Sequence, residues 1–127
     1  MLCLSRHLGW TTSQVDFSNA FVQASLNEDI YIRVPATYQA RKGPGHVLKL
    51  KKSLYGLVQA PMYWYRHLRA ALEDEGLTPS EFDPCMFYGQ NLEVLCYVDD
   101  CLLLAKDQRD TAAFIHNLKS KGYSLTE

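Results

Sequence analysis

The sequence lacks the features of a membrane or secreted protein. No apolar run approaches the length of a membrane span, and the apolar run within the first ten residues is too short for a signal peptide. None of the four cysteines forms a C-x-x-C pair, and no histidine is placed to complete a zinc site. Because three of these cysteines lie in apolar runs, we expect reduced thiols in the core and a reducing compartment.

Acidic residues are absent between Asp29 and Glu73. Residues 30–72 contain eight of the 13 Lys and Arg residues, whereas all 14 Asp and Glu residues lie elsewhere in the chain. The formal net charge of −1, taken alone, argues against a strongly basic nucleic-acid-binding protein. The segregation of charge indicates instead a site for an anionic partner beside an acidic region.

The hydrophobic pattern predicts a mixture of strands and helices. Alternating residues predict strands over residues 12–17, 30–34, 47–51, 85–88, 93–98 and 101–105. Helical periodicity predicts a helix stopped by Gly9, a short one over residues 20–26 capped by Ser18 or Asn19, one from Pro61 to Gly76, and one over residues 107–121. The predicted buried faces of the two long helices are Trp64, Leu68, Ala71 and Leu72, and Phe114, Ile115 and Leu118. The elements show no regular βαβ rhythm, which favours an α+β fold with an antiparallel sheet and helices packed on one face. Both ends of the sequence fall inside predicted elements, so we expect a domain that is incomplete at both ends.

Two adjacent carboxylates, Asp99 and Asp100, interrupt an otherwise apolar segment. One interpretation is a hairpin turn, since Asp is a common turn residue. Two-residue hairpin loops favour Asn-Gly, Asp-Gly or Gly-Gly because they need positive φ, and this segment has no glycine. Adjacent like charges between apolar strands are better tolerated when a cation neutralises them. A divalent-cation site is therefore the competing interpretation.

Asp16, at the end of a predicted strand, is the natural third ligand, although an Asp at a strand end also serves as a cap. Carboxylates without His or Cys select Mg²⁺ or Mn²⁺ over zinc. Mg²⁺ held by few carboxylates shares its remaining positions with water and substrate phosphates. Together with the basic segment, these residues indicate metal-assisted phosphoryl transfer.

Three motifs resemble the reverse transcriptase domain of copia-type LTR retrotransposons. Residues 14–21 (QVDFSNAF) resemble the first palm motif, residues 51–61 (KKSLYGLVQAP) resemble the central motif, and residues 97–100 (YVDD) resemble the polymerase signature. Their order and spacing match over nearly the whole chain. The resemblance implies a polymerase palm over residues 1–127, with most of the fingers, the thumb and the RNase H domain absent from this sequence.

The resemblance also implies a role for each matching position in nucleotidyl transfer to a primer 3′-hydroxyl. Two Mg²⁺ ions, with Mn²⁺ as the alternative, would be held by Asp16, Asp99, Asp100 and the backbone carbonyl of Phe17, with Asp100 the least engaged carboxylate. Nucleotide binding would fall to Asn19, Ala20, Phe21, Tyr55 and Gly56, with Phe21 excluding a 2′-hydroxyl. The template and primer would meet Gln59, Ala60, Pro61, Lys49, Lys51 and Lys52. Without the family resemblance, the alternative interpretation of Phe21 is an ordinary core aromatic. The alternative for each lysine is a place on a solvated strand face.

The partners implied are an RNA or DNA template with its primer, deoxynucleoside triphosphates and the remainder of the retrotransposon polyprotein. No membrane partner is expected, and the location implied is cytoplasmic element particles or the nucleus.

Two positions depart from the family pattern, because Val58 and Met62 stand where cations are usual. They support a second hypothesis, a decayed or co-opted fragment that acts only as a nucleic-acid-binding or interaction module. The three intact aspartates favour the polymerase, which we expect to be inactive or weak as an isolated fragment. A third hypothesis, an unrelated metal-dependent phosphohydrolase, lacks a candidate base to activate water.

Overall fold

The structure, a computed structural model, describes residues 2–38 and 45–127. The helices are α1 (Leu2–Leu8), α2 (Ala20–Gln23), α3 (Ala60–Asp74) and α4 (Gln108–Ser120). The strands are β1 (Thr11–Phe17), β2 (Tyr31–Arg33), β3 (Val47–Lys49), β4 (Thr78–Pro79), β5 (Met86–Tyr88), β6 (Leu92–Tyr97), β7 (Asp100–Ala105) and β8 (Leu125–Thr126). None of the helices in these two ranges is long and apolar enough to cross a membrane.

Six strands form one antiparallel sheet, in the order β4-β5-β6-β7-β1-β8. Strands β4 to β7 follow one another as neighbours, whereas β1 lies between β7 and β8, from which it is separated by most of the chain. Strands β2 and β3 form a separate two-stranded antiparallel sheet. The predicted α+β fold with an antiparallel sheet and helices is thus confirmed.

One face of the large sheet packs against α3 and α4. Val15 and Phe17 of β1 and Leu103 of β7 are at most 1% exposed, as the alternation along a strand requires. They join one hydrophobic cluster with the inward residues of the two helices, Trp64, Leu68, Ala71, Leu72, Phe114, Ile115 and Leu118. The faces predicted from helical periodicity are therefore the buried faces.

The opposite face of the sheet is more open. Gln14, Asp16 and Asp100 are exposed on it, whereas Leu104, which alternates with Leu103, is only 1% exposed. Helix α1 contacts β1, the strand paired with β7 at Leu104. The open part of this face therefore lies toward Asp16 and Asp100.

Several elements differ from the sequence-based expectation. Helix α2 ends at Gln23 rather than at residue 26, and Asn19 at its N-cap position has φ 52° and makes no side-chain capping hydrogen bond. Strand β3 ends at Lys49 rather than at residue 51. Strand β4 was not predicted, because two residues carry no alternation and Pro79 suits only a sheet edge. Of the predicted turn over residues 42–45, only Gly45 lies within the described residues.

The cysteines are free, but only two of them are core residues. Cys96 and Cys101 are buried, Cys85 is half-buried and Cys3 is exposed. The Cys101 thiol donates a hydrogen bond to Cys96 Sγ at 3.0 Å. This hydrogen bond and burial raise the pKa of Cys101, so the thiol stays protonated.

Candidate active site

A row of polar side chains crosses the open face of the sheet. Asp16 in β1 lies directly opposite Asp100 in β7. On its other side, Asp16 lies opposite Thr126 in β8, and Asp100 lies opposite Tyr97 in β6. Residues directly opposite one another in antiparallel strands share a face. Two carboxylates from distant parts of the chain therefore meet on the face that the long helices leave open.

The strand alternation explains why these carboxylates face solvent. Asp16 lies between Val15 and Phe17, both 1% exposed in the core. Asp100 precedes Cys101, which is also 1% exposed. A shift of either strand by one residue would bury its carboxylate and expose its core residues. The hydrophobic neighbours therefore hold both carboxylates outward.

The YVDD segment forms a hairpin turn despite having no glycine. Tyr97 pairs with Asp100, so Val98 and Asp99 form a two-residue loop. Val98 has φ 59°, the positive value that such loops need at their first position. The absence of glycine was therefore a poor argument against a turn, and the turn and a cation site are compatible in one segment.

Asp99 occupies a different place from the other two aspartates. It belongs to the loop, is half-buried, and its backbone carbonyl accepts a hydrogen bond from Phe17 N–H at 2.8 Å. The hairpin register thus places Asp100 directly opposite Asp16, although the family resemblance implies that Asp100 is the least engaged carboxylate. In the part of the chain that the structure describes, no three Asp, Glu, His or Cys side chains lie close enough together to enclose a metal ion.

Gln14 belongs to the site and was not predicted. Its Nε2 donates a hydrogen bond to Asp100 Oδ1 at 3.2 Å. Gln14 and Asp16 also line a shallow cavity of about 270 Å³ with Thr126 and Glu127. The alternation that places Asp16 on the open face also places Gln14 there. The sequence pattern therefore predicts the face on which Gln14 lies, but not its hydrogen bond to Asp100.

Trp64 contacts the two-residue turn of Val98 and Asp99 from the core side of the sheet. The side chain is 1% exposed, and its Nε1 donates a hydrogen bond to the carbonyl oxygen of Val98 at 2.6 Å. The sequence predicts Trp64 as a buried helix residue, which is confirmed, but not as a hydrogen-bond donor to the turn.

The residues expected to bind nucleotide form a second group, near the end of β1. Asn19 and Ala20 follow β1 after one further residue, and Ala20 is completely buried. The rings of Phe21 and Tyr55 are in contact, with centroids 4.5 Å apart. Gly56, beside Tyr55, has φ 96°, a conformation that disfavours any side chain.

The residues expected near the template begin α3. Ala60 is completely buried, so its side chain packs in the core. Gln59 Nε2 donates to Glu28 Oε2 at 3.4 Å, and the Tyr63 hydroxyl donates to Glu28 Oε1 at 2.8 Å. The hydrogen bond to Glu28 raises the pKa of Tyr63. Glu28, in the segment between α2 and β2, thus holds the start of α3 through Gln59 and Tyr63.

The three candidate lysines do not form one patch. Lys49 is paired with Asp29, with Nζ and Oδ1 2.6 Å apart and both groups more than half exposed. Lys52 Nζ lies 3.5 Å from the Gln23 carbonyl oxygen and lines a cavity of about 280 Å³ with His67. Lys51 is exposed. Lys49 is therefore already paired with an exposed carboxylate, that of Asp29, and Lys52 lines a different cavity from that of Asp16.

The comparison with known families settles the class of protein. A family model for reverse transcriptase (RNA-dependent DNA polymerase) matches residues 1–126 of this chain. The chain belongs to the reverse transcriptase family. The resemblance drawn from the three motifs is thereby confirmed.

Relatives place this reverse transcriptase segment among copia-type elements. It is 39% identical over 102 residues to the Retrovirus-related Pol polyprotein from transposon RE1 of Arabidopsis thaliana, covering 77% of this chain. It is 34% identical over 113 residues to that from transposon TNT 1-94 of Nicotiana tabacum, covering 85% of this chain. It is 30% identical over 119 residues to the Transposon Ty1-GR3 Gag-Pol polyprotein of Saccharomyces cerevisiae, covering 93%. The chain spans 7% to 8% of the length of these polyproteins.

Proposed function

We propose that this chain forms the palm of a copia-type reverse transcriptase and carries its nucleotidyl-transfer site. The observation that carries the proposal is the pairing of Asp16 with Asp100 on the open face of the sheet, within a chain of the reverse transcriptase family. The reaction is extension of a primer 3′-hydroxyl by deoxynucleoside triphosphates, directed by an RNA or DNA template.

The donor set suits magnesium. Asp16 and Asp100 are solvent-exposed carboxylates that offer only oxygen ligands, which hard cations prefer over zinc. Asp99 and the backbone carbonyl of Phe17 complete the proposed ligand set. Two bound Mg²⁺ ions, or Mn²⁺ in their place, would supply charge neutralisation at the attacking and leaving oxygens. The side chains themselves hold the cations and leave the face free for template and primer.

The neighbouring residues shape the substrate pocket in this proposal. The Phe21 ring, which contacts Tyr55, would stack under the deoxyribose and exclude a 2′-hydroxyl. The backbone of Asn19, Ala20 and Gly56 allows close approach of the triphosphate. Gln59 and Pro61 shape the template side, and Lys49, Lys51 and Lys52 meet backbone phosphates.

The isolated 127-residue chain extends primers weakly or not at all in this proposal. The motifs that it carries are those of the palm. The family resemblance implies that binding of the triphosphate and the primer depends on the fingers and the thumb. The deoxynucleotide substrates are then bound effectively only with the remainder of the polyprotein.

Metal binding by the purified chain tests the proposal. We expect Mn²⁺ to bind the wild-type chain, and Asp16→Asn and Asp100→Asn each to weaken binding by about tenfold or more, since each removes one charged ligand. Asp74→Asn is the matched control, because Asp74 is an exposed aspartate at the end of α3. Electron paramagnetic resonance of free Mn²⁺ measures the binding. Equal affinity in all four proteins would refute the metal site, and processive primer extension by the chain alone, abolished by Asp99→Asn, would refute its inactivity.

A decayed or co-opted fragment that acts only as a nucleic-acid-binding or interaction module is the second candidate. Val58 is 96% exposed and Met62 is 41% exposed, so the surface carries apolar groups where the family resemblance implies cations. Nucleic-acid binding by a folded chain without any Mn²⁺ binding that depends on Asp16 would favour this module.

A further inference from the structure

The loop that carries Asp99 contains an unusual backbone conformation. Val98 has φ 59°. The only other non-glycine residue with positive φ among residues 2–38 and 45–127 is Asn19, and asparagine tolerates this region well. A β-branched residue does not, and it remains there only when its surroundings hold it. Something next to Val98 must therefore stabilise the turn.

The indole of Trp64 supplies that contact. Its Nε1 lies 2.6 Å from the Val98 carbonyl oxygen. The ring is held in the core by α3 and by an edge contact with Phe17, with centroids 5.2 Å apart. A donor on a buried, immobilised ring fixes the orientation of the peptide that follows Val98, which is the peptide leading to Asp99.

The surroundings offer the Val98 carbonyl little replacement for this donor. A cavity of about 190 Å³ adjoins the turn and is lined by Trp64, Leu68, Cys96 and Val98 among others. Its lining is almost wholly apolar. A water molecule needs several polar partners to occupy such a space stably. Val98 itself is 45% exposed, so loss of the indole N–H would leave its carbonyl without an immobilised donor on the cavity side.

The rest of the turn is held from β1. Phe17 N–H donates to the Asp99 carbonyl oxygen at 2.8 Å, and Gln14 Nε2 donates to Asp100 Oδ1 at 3.2 Å. The three consecutive residues Val98, Asp99 and Asp100 thus each have one partner outside the hairpin. Only the partner of Val98 comes from the helix layer.

We propose that Trp64 is a positioning residue for the metal-binding turn. Its indole N–H holds the Val98 peptide in the left-handed conformation and thereby sets the direction of Asp99 and Asp100. Trp64 itself touches neither metal nor substrate. The consequence for metal binding rests on the function proposed above, whereas the effect on the turn does not.

Trp64→Phe tests the proposal, because it keeps an aromatic ring in the core and removes the donor. We expect Mn²⁺ binding to weaken about tenfold, the size of one lost hydrogen bond to a part-buried carbonyl. Amide hydrogen exchange at Asp100, measured by NMR, should accelerate. Leu118→Ala is the control, because it truncates a completely buried core residue on α4, and it should destabilise the chain without changing either readout below its unfolding transition.

Val98→Gly provides the rescue, because glycine populates positive φ without a steric penalty. We expect Trp64→Phe combined with Val98→Gly to recover most of the Mn²⁺ affinity that Trp64→Phe loses. Replacement of Trp64 by 3-benzothienylalanine, in a Trp10→Phe background, keeps the size of the ring and removes only the N–H. This variant decides the question if Trp64→Phe does not fold.

Unchanged Mn²⁺ affinity and unchanged Asp100 exchange in the donor-free variants would overturn the proposal. An equal loss in Leu118→Ala, or no recovery in the double variant, would reduce Trp64 to an ordinary core residue. A wild-type chain without Asp16-dependent Mn²⁺ binding would refute the proposed function instead, and Asp100 exchange would still decide the role of Trp64.

Discussion

His67 lines the cavity of about 280 Å³ together with Lys52 and Tyr123. Burial, and then the positive charge of Lys52, lower the pKa of His67 from its ordinary value of 6.5. The folded protein thus favours the neutral imidazole. Its contribution to stability is present above pH 6.5 and is lost as the pH falls below that value toward the lower pKa of the folded state.

Lys52→Gln should raise the pKa of His67 toward 6.5, because one of the two causes of the shift is removed. The imidazole proton resonances of His67, followed by NMR against pH, measure this. Lys51→Gln is the matched control and should leave the His67 titration where it is. A His67 pKa that is the same in all three proteins would show that burial alone lowers it.

At the residue scale, the sequence predicted which charged residues belong to the candidate site better than it predicted their hydrogen-bond partners. Asp99 and Asp100 stand out because they interrupt an apolar segment, whereas Asp16 is marked only by its place at the end of a predicted strand. The hydrogen bond from Gln14 to Asp100 joins residues 86 positions apart, and only the register of the sheet brings them together. Periodicity likewise marks Trp64 as buried but does not tell where its N–H points.

Helix α4 shows how one side chain defines an element boundary. Asp107 occupies its N-cap, where Oδ1 accepts a hydrogen bond from Arg109 N–H at 2.8 Å. The side chain of Arg109 also donates to this carboxylate. Hydrogen bonds from the side chain and then the backbone of Arg109 lower the pKa of Asp107 to about 2. The cap is therefore formed at all but strongly acidic pH.

Asp107→Ala should lower the urea midpoint at neutral pH, because an N–H group of the first turn loses its acceptor. Asp107→Asn keeps an acceptor, so its urea midpoint should lie between those of the wild type and Asp107→Ala. The folded-state pKa is depressed, so the wild-type advantage is complete above pH 3.8 and disappears as the pH falls through about 2. An advantage over Asp107→Ala that does not change over this pH range would contradict an ionised cap.

At the element scale, the long helices were predictable and the pairing of strands was not. Helices α3 and α4 carry their hydrophobic period and terminating glycines in the local sequence, and α4 also carries its N-cap, Asp107. Their buried faces therefore follow directly. The position of β1 inside the sheet depends on its pairing with β7 and β8, which are distant in sequence. Local periodicity does not predict such pairing. The hairpin at Val98 was one of two interpretations of its segment, and the sequence could not decide between them because a tertiary contact, rather than the residue type, supports its conformation.

The whole molecule combines two sheets of very different burial. In the small sheet, Tyr31 of β2 is 54% exposed and Val47 and Leu48 of β3 are 57% and 41% exposed. An isolated two-stranded sheet is marginally stable in water, and the exposed ion pair of Lys49 with Asp29 adds little. The large sheet, by contrast, contributes buried residues such as Val15, Phe87 and Leu103 to the hydrophobic core, to which β2 and β3 contribute none.

Native-state hydrogen exchange should separate the two sheets. Amides of β2 and β3 should exchange through local openings that urea barely affects, whereas amides of β6 and β7 should require global unfolding. Leu103→Ala, which truncates a completely buried leucine, should lower the free energy of unfolding by about 2–5 kcal/mol. It should lower the protection of β6 and β7 by that amount and leave β2 and β3 unchanged. A uniform loss of protection would show that the two sheets unfold together.

The pairing of β1 with β7 also bears on how the chain folds. The hairpin of β6 and β7 needs only a two-residue loop, but bringing Gln14 and Asp16 to Asp100 closes a loop of more than 80 residues, which is slow and costly in chain entropy. The carboxylate pair cannot exist before that closure. A cation bound between β1 and β7 would therefore bind only late in folding, after these strands have paired. It would slow unfolding and leave the rates of the early, local folding steps unchanged.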